Sequence, residues 1–278
     1  MGVIRLCLLG WIALMGTGAG ASTNLLTLPC YGSDGSPRAD TEIFAIRTTD
    51  LESGRPPIKA TARAGNCAIA LEPGMYWVKA QSPGWRSVPM LVRWPAESLH
   101  RALVLIPING RDTARQAALR AMVQRDQKAR NALADAERKD DADQVRRLEQ
   151  AMQRVDTDNT AQLRRWVAEM GFPRASDVGY EGVSDVWLLV QHSPLIADLL
   201  PQLRAAAQIG ELARSSLALS EDRARMQAGL PQRYGSQLKS GSDGKLALHP
   251  LESAEDVDSL RESMDLEPLD DYLRRFKR

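Results

Sequence analysis

The chain has 278 residues, of which 44% are hydrophobic and 26% charged, and its 36 Lys and Arg residues against 35 Asp and Glu residues leave a formal net charge of +1. A balance so near neutrality lacks the basic surplus typical of proteins that bind nucleic acid or anionic lipid. We therefore expect no nucleic-acid partner and, once the N-terminal segment is removed, no membrane partner.

The N-terminal segment has the pattern of a secretory signal peptide. Arg5 precedes an apolar run from Leu6 to Met15, and small residues follow up to Ala19-Gly20-Ala21. The run is shorter than the roughly 20 apolar residues of a membrane-spanning helix, and the Ala-x-Ala pattern predicts cleavage at its end. Cleavage after residue 21 is thus expected to give a periplasmic or secreted protein, with an uncleaved membrane anchor as the alternative.

The cysteines predict a disulfide bond. Cys7 leaves with the signal peptide, so Cys30 and Cys67 remain as a pair in an oxidising compartment. A two-thiolate metal site is the alternative, but it would need further His or Cys ligands, and only His100 is near in sequence. In the chain-entropy model, closing a loop of this length contributes roughly 4 kcal/mol to stability.

Residues 25–108 alternate short β-type runs with Gly- and Pro-rich turns, which is typical of a small antiparallel β-sandwich. In the run GMYWVKA, Tyr76, Val78 and Ala80 share one face of the strand, so that face is expected to pack against the core. We find no catalytic constellation here and interpret this domain as an accessory packing or docking module. The clearest predicted strands are 41–49, 58–64, 67–71, 75–81, 89–94 and 102–108.

After Asn109-Gly110 the sequence changes to long, charged helices rich in Ala and Leu, which marks the start of an α-helical domain at 112–278. In the first helix, Asp126 interrupts an apolar stripe within residues 119–133. Arg130 follows Asp126 at the i,i+4 spacing of an ion pair. The modest interpretation is therefore a carboxylate held by its own helix neighbour.

A second helix is predicted from Asp141 to Met170, and its apolar seam has one polar break, at Asn159. Residues 134–143 form either a charged turn between two antiparallel helices or a bend in one long helix. Gly171-Phe172-Pro173 ends the second helix, and residues 174–184 are predicted to form a loop.

His192 is predicted to lie at a junction between two helices. The helix before it is expected to start at Ser184-Asp185, which is a suitable N-cap. His192 shares a helical face with Leu188 and Leu199, so its imidazole should point inward. Ser193-Pro194 is typical of a fresh helix start.

Asp222 takes a place in the next helix that an apolar residue should fill, because it shares a stripe with Leu219 and Met226. A buried carboxylate is costly unless it is paired or lines a wet cavity. We therefore expect a partner for it. The candidates are Arg223, Arg225 and His192.

The chain leaves this helix at Gly229 and Pro231 and continues into the polar segment QRYGSQ at 232–237. A small β-hairpin is predicted at 237–248 around the turn GSDG. Ser253 to Asp256 has the spacing of a capping box before a last helix. Pro268 is expected to end that helix or to open the short basic tail.

Residues 112–278 resemble a bacterial family known as domain of unknown function 6624, in the order of their landmarks. These are RDQ with Arg130, GFP, VG, WLLVQH, EDR, the segment QRYGSQ, VD and LEPL with Tyr272. The resemblance implies one C-terminal domain and no particular activity, and Ser236 stands where Thr is usual. Residues 25–108, through the phrase LEPGMYWVKAQSPGW, resemble carboxypeptidase regulatory-like and prealbumin-like β-sandwiches, which are accessory modules of exported proteins.

No complete catalytic, metal or nucleotide motif is present in the sequence. Two functions are therefore compatible with these patterns. The first is a non-catalytic protein that binds a protein, peptide or glycan in a polar cleft of its helical domain, without a cofactor. The second is a hydrolase in which His192 is the acid–base group, Asp222 or Asp126 orients it, and Tyr234 or Gln237 stabilises charge. A metal site, from His192, His249, Asp126 and Asp222, lacks any recognised ligand spacing.

In both cases the functional side chains are expected to come together inside the helical domain. Asp126, Asn159, His192 and Asp222 should converge with the segment Tyr234 to Gln237. The predicted binding residues are Arg130, Asn159, Gln191, Arg223, Gln232 and Gln237.

Overall fold

A computed structural model describes residues 24–51, 53–62, 65–95, 99, 101–240 and 246–276. The predicted signal peptide and His100 lie outside the described residues. Within the described ranges, no helix combines the length and the apolar character needed to cross a membrane.

The N-terminal region is a β-sheet of eight strands. Most neighbouring strands are antiparallel, as predicted, but the first strand pairs in parallel with the last, through Cys30, Tyr31 and Gly32 beside Leu103, Val104 and Leu105. The strand order is β3-β2-β5-β6-β8-β1-β4, with β7 beside β5. The strands are β1 (Leu25–Gly32), β2 (Glu42–Arg47), β3 (Ile58–Thr61), β4 (Asn66–Ala70), β5 (Gly74–Ser82), β6 (Trp85–Ser87), β7 (Met90–Trp94) and β8 (Leu103–Pro107).

The inward-facing side chains of this sheet form one apolar core. Every second residue of β1 is buried, and the predicted inward face of β5 is buried as well, with Val78 and Ala80 fully inaccessible. Strand β4, at one end of the order, also contacts β2 and β3 near the other end, so the sheet curls over its core. The Cys30–Cys67 disulfide links β1 to β4, with 5.8 Å between the Cα atoms.

The C-terminal region is mainly α-helical, and the fold class predicted from the sequence is confirmed. The first two helices are separate and are joined by a short turn at 139–141, in which Asp140 has a φ of +55°. The helices are α1 (Thr113–Arg138), α2 (Ala142–Met170), α3 (Ala175–Gln191), α4 (Ile196–Gln208), α5 (Arg214–Gln227), α6 (Val257–Ser263) and α7 (Leu269–Arg274). The predicted hairpin is formed by β9 (Leu238–Ser240) and β10 (Leu246–Leu248).

The predicted loop at 174–184 is wrong, because most of it belongs to α3. The helix starts at Ala175 and is interrupted at Gly179, which has a φ of +72°. A Cβ atom at Gly179 would lie only 2.3 Å from the Ile108 carbonyl oxygen. The glycine that suggested a loop therefore allows a close approach to the end of β8. Asp185 is not an N-cap but a buried residue inside α3.

Two smaller predictions also change. Ser253 accepts a hydrogen bond from the Asp256 backbone, but this turn precedes α6, and Asp256 makes no side-chain cap for that helix. Pro268 is the N-cap residue of α7 and so opens a further helix.

The two regions are in contact. Ile106 of β8 belongs to the apolar core of the helical region, which is otherwise built by α1 to α5. The Arg101 guanidinium donates two hydrogen bonds, of 2.5 and 2.6 Å, to the Asp265 carboxylate after α6. The β-rich region therefore packs on the helical region through both apolar and charged contacts.

Candidate functional site

The imidazole of His192 is held by the carboxylate of Asp126. His192 directly follows the last residue of α3, and Asp126 lies in the middle of α1. The His192 Nδ1 atom is 3.0 Å from Asp126 Oδ1 and 2.9 Å from Oδ2. The Asp126 side chain is 1% exposed, whereas that of His192 is 18% exposed. A buried carboxylate thus orients an imidazole that retains access to solvent.

The contacts of Nδ1 determine the tautomer of His192. Arg130 Nε lies 3.0 Å from this Nδ1 and 3.1 Å from Asp126 Oδ1. A deprotonated Nδ1 could accept from Arg130 Nε but would direct its lone pair at two carboxylate oxygens. We therefore assign the proton to Nδ1, so that both His192 and Arg130 donate to Asp126 and Arg130 does not donate to His192. In the neutral ring, Nε2 then carries the free lone pair. Among the described residues, no hydrogen bond to Nε2 is found.

Arg130 connects this pair to a second carboxylate, Asp156 of α2, at 2.7 Å. Burial raises the pKa of Asp126, but the hydrogen bond and charge of His192, aided by Gln127 and Arg130, outweigh it and lower that pKa overall. Burial also raises the pKa of Asp156, and Arg130 offsets this only in part. The sequence analysis missed Asp156, although it lies on the same face of α2 as Asn159, three residues further on.

Helix α5 is joined to α3 beside His192. The Gln191 side-chain amide lies 2.7 Å from the Ser220 hydroxyl, and the Trp187 indole N–H donates to the same hydroxyl at 3.1 Å. Asn159 of α2 is 4% exposed, and its Nδ2 donor has no partner among the described residues. Gln191 therefore connects helices, while Asn159 keeps a buried, unused donor.

Arg223 of α5 follows Ser220 by three residues, which puts it one turn along the same helical face. Its Nε donates to Gln237 Oε1 at 2.8 Å. Burial lowers the pKa of Arg223, and the positive charge of Arg130 lowers it further. The charge of Arg130 thus reaches Arg223, which is itself bonded to the 232–237 segment.

Asp222 has a different partner from those predicted. Its carboxylate accepts hydrogen bonds from the backbone N–H groups of Arg233 at 2.7 Å, Tyr234 at 3.1 Å and Ser236 at 3.0 Å. It contacts neither an arginine side chain nor His192 among the described hydrogen bonds. Gln232 closes the same segment on itself, because its Oε1 accepts from the Gln237 N–H at 2.9 Å. Asp222 and Gln232 thus hold the backbone that presents Gln237 to Arg223.

The Tyr234 hydroxyl is bonded to Glu221 rather than to His192. It donates to Glu221 Oε2 at 2.8 Å, and Arg204 Nε donates to the other oxygen of the same carboxylate at 2.7 Å. Burial, together with this carboxylate, raises the pKa of Tyr234. Glu221 was not singled out from the sequence, because its neighbour Asp222 interrupts the apolar stripe and Glu221 does not. The predicted site residues therefore lie in two linked clusters, one around Asp126 and His192 and the other around Asp222 and the 232–237 segment.

Neither the cavities nor the metal-binding residue types of the described ranges help to define the site around His192. Five cavities border the β-rich region or its contact with the helical region, and His192 lines none of these five. Within the described ranges, no group of three or more His, Cys, Asp or Glu side chains is arranged to hold a metal ion.

The fold and these contacts define a protein with a disulfide-linked β-rich region followed by a helical domain that contains a buried polar site. Residues 113–278 match the model of the Family of unknown function (DUF6624). This match covers more than half of the chain, so the chain belongs to that family. Neither a curated protein nor a solved structure shows significant similarity to the chain.

Proposed function

We propose that the helical domain carries a proton-transfer site in which His192 is the acid–base group, Asp126 orients it, and hydrolysis is the reaction class. The observation that carries this proposal is the contact of 2.9 Å between Asp126 and Nδ1, with the carboxylate buried and the imidazole partly exposed. A carboxylate that fixes Nδ1–H leaves Nε2 as the nitrogen that exchanges a proton with a bound ligand.

Water is the nucleophile in this proposal. No serine, threonine or cysteine hydrogen-bonds His192 among the described residues. His192 Nε2 takes a proton from water, the water oxygen attacks an electrophilic centre, and the imidazolium returns the proton to the leaving group. Asp126 stabilises the imidazolium by charge. Tyr234 is assigned no chemical step, because its hydroxyl is bonded to Glu221.

A non-catalytic binding protein with a polar cleft is the second candidate. It is favoured because the 232–237 segment, which was expected to stabilise charge in a hydrolase, is bonded within the fold. Gln232 and the backbone of 233–236 are engaged with Asp222, Gln237 and His249, so this segment serves the fold. A binding protein for a peptide, glycan or protein requires no free base at Nε2. The loss of turnover on substitution of His192 separates the two candidates.

Export is part of both proposals. The signal-peptide pattern at 1–21 supports it, and so does the Cys30–Cys67 disulfide, since disulfides persist in oxidising compartments. We propose a periplasmic or secreted location.

The test uses His192→Asn, because the asparagine amide can still donate to Asp126 while the base at Nε2 is removed. Purified wild-type and variant chains are assayed on chromogenic esters, peptides, glycosides and phosphodiesters. We expect turnover to fall by roughly 10²–10⁴-fold, the usual contribution of a general base, with the melting temperature within about 3 °C of wild type. His249→Asn is the matched control.

Unchanged turnover in His192→Asn would rule out the proton-transfer site. Binding of a ligand by a wild-type chain that turns over none of these substrate classes would favour the second candidate.

A further inference from the structure

Arg223 differs from Arg204 and Arg225, two arginines near it, in having no carboxylate partner. Within the described ranges, no carboxylate lies within 4.0 Å of its guanidinium, and its hydrogen-bond partner is the neutral Gln237 side chain at 2.8 Å. By contrast, Arg204 pairs with Glu221 and Arg225 with Glu252. A partly buried guanidinium without a counter-ion is unfavourable unless a ligand supplies the negative charge.

Arg223 lies on a part of α5 that is bonded to α3 next to His192. Gln191, the residue before His192, lies 2.7 Å from the Ser220 hydroxyl, and Arg223 is one helical turn beyond Ser220. The charge of Arg130, which contacts His192, also reaches Arg223. The Arg130 guanidinium therefore contacts the imidazole, and the Arg223 guanidinium, on α5, lies within electrostatic reach of Arg130.

The orientation of Arg223 is fixed through the backbone of the 232–237 segment. Gln237 accepts from Arg223 Nε, and the Gln237 backbone is held by Gln232, whose segment is in turn held by Asp222. This chain of hydrogen bonds leaves the two terminal nitrogens of Arg223 without a partner among the described residues. Those two nitrogens form the fork that binds carboxylate and phosphate oxygens in pairs.

We propose that the site takes a ligand with one singly charged oxyanion group, a carboxylate or a phosphodiester, bound by Arg223 beside the His192 cluster. Arg130 is already shared between Asp126 and Asp156, so the surplus positive charge is that of Arg223 alone. A doubly charged phosphate monoester would meet repulsion from these two carboxylates. The buried Nδ2 donor of Asn159, which has no partner among the described residues and lies one turn after Asp156 on α2, donates a further hydrogen bond to the ligand in this proposal.

This inference rests on the proposed function for its placement beside the acid–base group, but it can be tested without any turnover. Acetate and dimethyl phosphate, each with a methyl signal for saturation-transfer NMR, are titrated into the full chain at pH 7.5 and constant ionic strength. We expect both probes to bind and Arg223→Gln to weaken binding at least tenfold. Arg164→Gln, an exposed arginine of α2, is the matched control and should bind as wild type does.

His192→Asn separates this inference from the proposed function. Retained probe binding in His192→Asn together with lost turnover supports both. Binding that depends on Arg223, with turnover independent of His192, supports the anion site and contradicts the proton-transfer site.

Two results would overturn the anion site, namely no binding of either probe to wild type, or equal binding by wild type and Arg223→Gln. If Arg223→Gln does not fold, Arg223→Lys replaces it, since lysine keeps the charge but loses the fork. Weaker binding of both probes by Arg223→Lys is then the expected result, and unchanged binding overturns the proposal.

Discussion

The β-rich region and the helical domain differ in what they bury. In the described part of the β-rich region, the buried polar side chains are those of Thr41, Ser82 and Ser87, and none of them is charged. Every buried acidic or basic side chain among the described residues lies after residue 113. These are Asp126, Asp185, Glu211, Glu221, Asp222, Arg261, Asp265 and Glu267.

The difference indicates where the chemistry lies. Burial of a charge is unfavourable unless it is paired and hydrogen-bonded, so a region without buried charge is stabilised by apolar contacts and, here, by a disulfide. The helical domain accepts this unfavourable burial at several positions. In the Asp222 cluster the charge organises a backbone segment, whereas in the Asp126 cluster it orients a titratable ring.

Removing the disulfide should have the largest effect and should be confined to the β-rich region. The substitution of both Cys30 and Cys67 by Ala releases a loop with a sequence separation of 37 residues. We expect the free energy of unfolding of this region to fall by about 4 kcal/mol. Hydrogen exchange followed by mass spectrometry reports each region separately. Equal loss of protection in α1 to α5 would mean that the two regions do not differ in this way.

The wild-type chain under reducing conditions should reproduce the double substitution, and the reductant should leave the substituted chain unchanged. If the reductant also destabilises the substituted chain, its effect does not come from the Cys30–Cys67 disulfide.

Asp222→Ala should be the next largest effect, and it should be confined to the helical domain. The substitution leaves three backbone N–H groups without an acceptor, those of Tyr234 and Ser236 buried and that of Arg233 partly buried. At about 1 kcal/mol each, the free energy of unfolding should fall by about 3 kcal/mol. Urea unfolding measures this loss, and Asp158→Ala, at an exposed position of α2, is the control. A loss below 1 kcal/mol would mean that Asp222 does not hold the segment.

Asp185 should give the smallest effect and a pH dependence. Burial raises its pKa to about 6, Arg120 offsets this in part, and Glu181 adds to it. The folded state therefore favours the protonated acid more than the unfolded state does, and this contribution to stability is lost as pH rises from about 4 to about 6. Asp185→Asn should remove the loss and be more stable than wild type by about 1–2 kcal/mol at pH 7.5.

The measurement for Asp185 is the difference in unfolding free energy between wild type and Asp185→Asn at pH 4 and at pH 7.5. The difference cancels the other carboxylates, and it should be near zero at pH 4. An opposite sign is expected for Asp126, whose lowered pKa contributes stability that is lost as pH falls. A constant difference for Asp185 would contradict its raised pKa.

The candidate site was predictable only where spacing along one helix determines the contact. Asp126 and Arg130 are in contact at 3.1 Å, as the i,i+4 spacing indicates. The partner of His192 is Asp126, which is 66 positions away in the sequence, and no local pattern identifies it. Asp222 interrupts an apolar stripe in the same way as Asp126, yet it accepts from backbone groups, which carry no signature in the side-chain pattern.

The sequence by itself determined the order of a β-rich and a helical region, the pairing of Cys30 with Cys67 and the positions where polar groups enter apolar stripes. These features follow from periodicity along the chain and from the number of cysteines outside the predicted signal peptide. The tertiary structure decided which carboxylate holds the imidazole, why Gly179 interrupts α3 rather than forming a loop, and that Arg223 is bonded to Gln237. These contacts depend on how separate helices pack, because packing joins residues that are distant in sequence and local propensity does not record it.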